Sequence, residues 1–169
     1  MTRGITVLII LTCSSLGHLH GQDIVGPDTV FVQSGTLTLS ALLWYPPGPG
    51  RFPALIFSHG NYASNSSPGT IDSLLGPVTS TSLLGPVFAG NGYVFLALFR
   101  RGVGLSKGQG ESSQDLLVRT LKETSLEERN RLQMRLLETE QLEDMISGVQ
   151  FLRRRQNVDT NRVVENGAR

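Results

Sequence analysis

One short apolar segment that ends in His-Gly constrains the fold of this chain most. Phe52–Ser58 is almost entirely apolar, begins next to Pro53, and is followed by His59 and Gly60. An uninterrupted apolar run bounded by Pro and Gly is typical of a strand buried on both faces of a parallel sheet. Ligands of such sheets bind beyond the carboxyl ends of the strands. The sequence therefore places His-Gly at a candidate functional edge.

Strand and helix patterns alternate along the rest of the chain. The predicted strands are 29–33, 36–45, 52–58, 92–99 and one that starts near 162, and the predicted helical segments are 86–91 and 112–155. The first two strands are separated only by a Ser-Gly turn, which favours a hairpin. Strands that alternate with helices after a hairpin predict an α/β fold with a mostly parallel sheet and flanking helices.

The segment 112–155 is rich in charge, contains no Pro, and divides into two parts. Residues 116–137 predict a helical excursion over the sheet edge. A second helix follows, with an apolar pattern at helical spacing in Leu142, Met145, Ile146, Val149 and Leu152. We interpret Asp115, the glutamates of 123–144 and the arginines 153–155 as solvated helix surface, not as a paired acid site or an anion site.

Composition excludes several classes of function. A length of 169 residues favours one domain, and a net charge of +1 gives no electrostatic basis for binding nucleic acid. Two of the three histidines, His18 and His20, lie near the amino terminus, so the sequence offers no metal site. The glycines after the 92–99 strand lack the spacing of a nucleotide-binding loop, and we expect no cofactor.

The amino terminus has the pattern of a secretory signal. Arg3 is followed by the apolar stretch Gly4–Leu16, which is shorter than the ~20 residues that span a bilayer. We predict a signal peptide over 1–21, a domain over 22–169, and a secreted or periplasmic protein without stable membrane insertion. Lipoprotein anchoring through Cys13, the only cysteine, is a less favoured alternative.

Four segments together give the chain a resemblance to the α/β-hydrolase superfamily, in particular to its dienelactone hydrolase and prolyl oligopeptidase-type branch. They are 52–60, 92–108 with its Arg-Arg-Gly-x-Gly-x-Ser-x-Gly, the helix around 142–152, and 158–163. The resemblance extends over about residues 30–165. It implies acyl transfer through a Ser-His-Asp triad, on a small-molecule ester or a peptide.

The resemblance also implies a site. The backbone N–H of Asn61 or Tyr62 would bind the oxyanion, with the Tyr62 hydroxyl as a further candidate. The residues that would shape the loops around it are His59, Gly60, Arg100, Arg101 and Gly102. His59 is not expected to be the general base, because the family places that histidine after the nucleophile.

The chain departs from the family after Val163. A buried strand and a Gly-x-Ser-x-Gly elbow are expected there, but Val164 is followed by the polar residues Glu165 and Asn166. Ser58 and Ser106 are poor candidates for the nucleophile. We therefore expect an incomplete α/β-hydrolase fold, truncated before its nucleophile, acid and base and inactive alone.

Two alternatives to a hydrolase remain open. One is a non-catalytic secreted binding or regulatory module that uses the same half-fold. The other is an interaction protein that depends on the helices of 112–155.

Overall fold

Five strands form one sheet in the order β1-β2-β4-β3-β5 in the computed structural model, which describes residues 25–58 and 83–167. The strands are β1 (Val25–Ser34), β2 (Leu37–Tyr45), β3 (Phe52–Ser58), β4 (Val94–Leu98) and β5 (Val158–Gly167). The helices are α1 (83–90), α2 (Ser113–Glu123), α3 (Leu126–Glu138) and α4 (Glu140–Arg153), with a 3₁₀ turn at Gly104–Ser106.

The strand directions confirm the predicted class. β1 and β2 form an antiparallel hairpin, and β2 is also antiparallel to β4. β3 lies parallel to β4 on one side and to β5 on the other. The sheet is therefore mixed, with an antiparallel start and a parallel part that contains the His-Gly strand. The predicted strands 52–58 and 92–99 are confirmed, the second with the shorter bounds of β4.

Each face of the sheet has its own apolar core. On one face, β2, β3 and β4 contribute alternate side chains that pack against Met145 and Leu152 of α4. On the other face, Phe95 stacks on Phe88 of α1 at 5.1 Å between ring centroids and meets Trp44 edge-on at 5.7 Å. All five residues of β4 are buried, because helices cover both of its faces.

A glycine lets α4 approach the sheet closely. A Cβ added at Gly148 would lie 2.3 Å from Cδ1 of Ile56 and 3.3 Å from Cδ2 of Leu98. The backbone of α4 at Gly148 therefore packs directly against side chains of β3 and β4. α4 confirms the predicted second helix, but Leu142 and Ile146 are about half exposed, so the apolar pattern is wider than the face that packs on the sheet.

The charged excursion predicted over 116–137 is helical, and it consists of two helices, α2 and α3, with wider bounds. α2 begins at a cap where the hydroxyl of Ser112 accepts the N–H of Asp115 at 3.0 Å. α3 begins at a second cap, where Ser125 accepts the N–H of Glu128 at 3.2 Å. Ser125-x-x-Glu128 matches a capping box, which is a sequence signal for a new helix. The early helix also differs, since α1 covers 83–90 instead of 86–91.

β5 extends further than the sequence suggested. We expected Glu165 and Asn166 to be poor residues for a strand buried on both faces, but the backbone of both pairs with β3, opposite Ile56 and Phe57. The reason is the position of β5 at the edge of the described sheet, where polar residues are tolerated better than in a central strand.

Three segments lie outside the described residues: 1–24, 59–82 and 168–169. The first includes the predicted signal peptide. Among residues 25–58 and 83–167, no helix has the length and apolar character needed to cross a bilayer.

The close approach of α4 generates a stability prediction. Gly148→Val places a branched side chain against Ile56 and Leu98, and we expect the free energy of unfolding to fall by about 2 kcal/mol through overpacking. Denaturant unfolding followed by circular dichroism measures the change. Gln150→Val is the matched control on the exposed surface of the same helix and should cost less than about 1 kcal/mol. Equal stability of the two variants would contradict the packing described here.

Candidate functional site

The parallel strands β3 and β4 end at the same edge of the sheet. Ser58 at the end of β3 pairs with Leu98 at the end of β4, so both strands finish at the same level. The segment that follows β3 begins with His59. The segment that follows β4 covers residues 99–112 and is called the rim loop below. Carboxyl ends of parallel strands are where ligands of α/β proteins bind, so this edge is the candidate site.

The rim loop needs glycine at position 102. Gly102 has φ of +73°, and an added Cβ would lie 2.2 Å from the backbone N of Ser112. Its N–H donates to the carbonyls of Ser106 and Gln109, both at 3.2 Å. The loop thus folds back on itself at this residue. A side chain there would be strained in both conformation and space.

Ser106 fastens the rim loop to the sheet. Its side chain is fully buried, its hydroxyl donates to the carbonyl of Phe99 at 2.8 Å, and its Oγ accepts the N–H of Ser40 at 2.8 Å. Sequence reasoning missed that Gly104–Gly108 itself has the spelling Gly-x-Ser-x-Gly. The structure shows a 3₁₀ turn instead of a strand-to-helix elbow, and the hydroxyl is committed to the backbone. Ser106 is therefore structural.

A buried ion pair joins the rim loop to α4. Arg101 donates from Nη2 to Oδ1 of Asp144 at 2.6 Å and from Nε to Oδ2 at 3.1 Å. The Arg101 side chain is 13% exposed and that of Asp144 is 1% exposed. A two-bond guanidinium–carboxylate pair of this kind fixes direction as well as distance.

Further partners surround the pair. The Ser34 hydroxyl donates to Oδ1 of Asp144 at 2.7 Å, which brings the end of β1 into the cluster. Arg101 also contacts Glu143 at 2.9 Å and, more distantly, Glu140 at 3.9 Å. Its hydrogen bonds to Asp144, with help from Glu143, raise the pKa of Arg101 above the ordinary guanidinium value despite the opposing effect of burial. Arg101 is therefore a permanent cation held inside a carboxylate cluster.

Asp144 is buried, unlike the solvated helix surface that we predicted for Asp115 and the glutamates of 123–144. The position of Asp144 in the sequence could have revealed that it is buried. Asp144 lies one turn before Gly148 and one turn after Glu140, beside the buried residues Gln141 and Met145. An acid in the buried stripe of a helix requires a cation or donors nearby. Asp115 is different, since it is partly exposed and accepts the Ser112 hydroxyl at 2.6 Å within the α2 cap.

Arg100, the other arginine of the rim loop, also contacts α4. Arg100 is 8% exposed and donates from Nη1 to Oε1 of Gln141. The structure therefore brings three predicted site residues, Arg100, Arg101 and Gly102, together in the rim loop. The other four, His59, Gly60, Asn61 and Tyr62, lie outside the described residues. In 25–58 and 83–167, no group of three or more His, Cys, Asp or Glu side chains is arranged to hold a metal ion.

The ion pair generates a second prediction. Asp144→Ala leaves Arg101 without its main partner and Ser34 without its acceptor, so we expect a loss of about 3 kcal/mol in the free energy of unfolding. Denaturant unfolding measures it. Glu127→Ala is the control: its bond to Arg131 has the same 2.6 Å length but lies between side chains that are 73% and 63% exposed, and its loss should cost under about 1 kcal/mol. A loss for Asp144→Ala as small as the control's would show that the cluster does not hold the loop.

Comparison with known proteins identifies the fold. No family model matches the chain, and no curated protein does. Among solved structures, m3DLH is similar with 14% identity and a TM-score of 0.54, over 85% of this chain and 49% of that one. The dienelactone hydrolase-like promiscuous phosphotriesterase P91 from metagenomic libraries is similar with 12% identity and a TM-score of 0.52, over 85% and 48%.

Longer enzymes also align with part of their length. The acylaminoacyl peptidase of Pyrococcus horikoshii is similar with 20% identity and a TM-score of 0.48, over 83% of this chain and 18% of that one. The chain thus spans about half the length of the first two structures and a smaller part of the peptidase. At these identities the likeness concerns the fold alone. The described residues have the α/β-hydrolase fold, over about half the length of the two solved structures, m3DLH and P91, to which they are similar.

Proposed function

We propose that the strand-tip edge of this chain forms the oxyanion side of an acyl-transfer site, in a hydrolase that cleaves esters or peptides. One observation carries the proposal: β3 lies parallel to both β4 and β5, so the segment that follows Ser58 leaves the sheet at the same edge as the rim loop. The likeness of the fold to a dienelactone hydrolase-like protein supports the same class of chemistry.

The donors in this proposal are backbone amides. His59-Gly60 follows β3 directly, and the N–H of Asn61 or Tyr62 would bind the oxygen that becomes negative when an acyl carbon is attacked. Backbone donors suit this task because a rigid scaffold can aim them before the reaction starts. Removing one such donor in a working enzyme costs about 3 kcal/mol of transition-state stabilisation.

The two arginines of the rim loop support the site without touching substrate. Arg101 is committed to Asp144 and Glu143, and Arg100 is buried against Gln141. Both side chains therefore position the loop, and we assign neither to substrate binding. This arrangement keeps the rim rigid beside the proposed donors.

We propose that this chain supplies the oxyanion donors but not the nucleophile. Ser58 and Ser106 are both buried, and the Ser106 hydroxyl is bonded to backbone groups on both sides. A nucleophile, a general base and an acid would have to come from other residues. The chain alone is accordingly proposed to bind an oxyanion mimic without turning over substrate.

Titration with a small alkylphosphonate tests the proposal directly, because its oxygens imitate the tetrahedral intermediate. We expect the amide NMR signals of Asn61 and Tyr62 to shift in a saturable way. Amides at the opposite end of the strands, such as those of Arg51 and Gly92, should stay in place and act as the internal control. Shifts spread over the surface, or none at 61 and 62, would contradict the oxyanion assignment.

Labelling with a fluorophosphonate probe tests the second half of the proposal. The probe reacts with an activated serine, so the chain alone should remain unlabelled under conditions that label an ordinary serine hydrolase. Ser106→Ala, which removes a hydroxyl but no nucleophile in this account, should behave in the same way. A labelled residue, located by peptide mass spectrometry, would reveal a complete nucleophilic site in this chain.

A further inference from the structure

Arginines from three segments meet at the amino ends of the parallel strands. Arg51 directly precedes β3, Arg153–Arg155 end α4, and Arg162 lies near the start of β5. The N–H of Phe52 donates to the carbonyl of Asn157 at 2.9 Å, which joins the first two segments. α4 is about 21 Å long and begins beside the rim loop, so its arginines lie at the end opposite the strand-tip edge. The five arginines are called the basic edge below.

An irregularity in β5 brings its arginine to the basic edge. Residues 159–162 of β5 lie opposite a single residue of β3, between neighbouring paired positions. A bulge of this kind bends a strand and redirects its side chains. It contains Asp159 and Arg162, whose side chains bond at 2.6 Å. That bond and the nearby charge of Arg51 lower the pKa of Asp159, so Arg51 lies beside the pair.

The basic edge has a large excess of positive charge. Asp159 is the one acid within it, and its carboxylate is already bonded inside the bulge. Asp28, at the start of β1, lies further along the same end of the sheet, beyond β4 and β2. Three exposed arginines of the edge take part in none of the ion pairs within residues 25–58 and 83–167: Arg51, Arg153 and Arg154.

A helix end alone does not explain the basic edge. Cations in the last turn of a helix complement its dipole, which accounts for the arginines of 153–155 as solvated helix surface, as the sequence indicated. The same reason does not apply to Arg51 and Arg162, because they belong to other elements. Folding adds these two to the run, and the array then extends from α4 across the ends of β5 and β3.

The chemistry of the basic edge suits a surface of phosphate groups. All five cations are arginines, and a planar guanidinium binds two phosphate oxygens at once. They are distributed over the ends of two strands and a helix, so they match many phosphates in a plane better than one phosphate in a pocket. Tyr93, which is 37% exposed, directly precedes β4 at the same end of the sheet. Tyrosine is typical of the interface between a membrane and water.

We propose that the basic edge docks on the anionic headgroups of a phospholipid membrane. The contact is peripheral, and it differs from the stable insertion that the sequence gave no reason to expect. Each arginine near an anionic lipid surface strengthens binding about fivefold. Because the basic edge and the strand-tip edge lie at opposite ends of the sheet, the docked protein holds the strand-tip edge toward solution. The proposal does not depend on the acyl-transfer site.

Vesicle flotation of the full chain tests the proposal. Vesicles that contain about 30% phosphatidylserine should bind the chain at least about a hundredfold more strongly than pure phosphatidylcholine vesicles at about 0.15 M salt. Because both kinds of vesicle have the same hydrocarbon core, apolar contacts cancel in this comparison. Salt at about 1 M should abolish the difference, since it screens charges beyond about 3 Å.

A pair of charge-matched variants locates the contact. Arg153→Gln combined with Arg154→Gln removes two exposed cations and should weaken binding to the anionic vesicles about twenty-fivefold. Arg131→Gln combined with Arg135→Gln removes the same charge from the exposed surface of α3 and is the control. It should change binding less than about twofold if the basic edge makes the contact. Circular dichroism checks that both variants stay folded.

Spin labels supply a readout of orientation that does not depend on these variants. Pro49→Cys carries a nitroxide beside the basic edge, and Leu105→Cys carries one on the rim loop, each with Cys13→Ser. Vesicles with nickel-chelating headgroups should speed relaxation of the label at 49 and leave the label at 105 unchanged.

Four results would overturn the proposal. They are equal binding to neutral and anionic vesicles, an equal loss in the control variant, faster relaxation at 105 than at 49, and binding of a DNA duplex or an acidic peptide by a chain that leaves anionic vesicles unbound.

Discussion

The parallel pairing of β3 with β4 and β5 is the constraint on which the rest of the structure depends. Parallel strands must be joined by a crossover, and the described parts of these crossovers include α1 and α4, which bury the two apolar cores of the sheet. The same pairing aligns the carboxyl ends of the strands. The rim loop therefore leaves the sheet at the edge where β3 also ends, and the proposed oxyanion site lies at that edge.

The buried cluster of Arg101, Asp144 and Ser34 holds the rim loop and the end of β1 against α4. One carboxylate on α4 binds the rim loop through Arg101 and the end of β1 through Ser34. A charge pair of this kind adds little net stability compared with apolar packing, but losing either partner is costly. Its value lies in geometry: it fixes the loop after β4 relative to the helix that covers the sheet. Gly102 and Ser106 then fold that loop tightly onto itself and onto β2.

The sequence predicted the parts of the fold that depend on local pattern. The apolar run of β3 and that of β4 are long, uninterrupted and bounded by turn residues, so their burial followed from composition. The division between α2 and α3 was also present in the sequence, in Ser125-x-x-Glu128, although continuous charge hid it. The pairing of Arg101 with Asp144 was not predictable in this way, because its partners lie 43 residues apart and a helix acid is usually solvated. The extent of β5 depended on its edge position, which only the sheet order reveals. Ser106 shows the converse, since a motif spelling alone would have suggested a nucleophile where the structure has a backbone anchor.

Two spin-labelled variants test most directly the central claim, that the residues after β3 lie at the strand-tip edge. Leu105→Cys carries a nitroxide on the rim loop, and Pro49→Cys carries one in the exposed loop before β3, at the opposite end of the strands. Cys13→Ser in both variants removes the only native thiol. The account predicts that the label at 105 broadens the amide signals of Asn61 and Tyr62, and that the label at 49 leaves them sharp. The reverse pattern, or equal broadening by both labels, would contradict the claim.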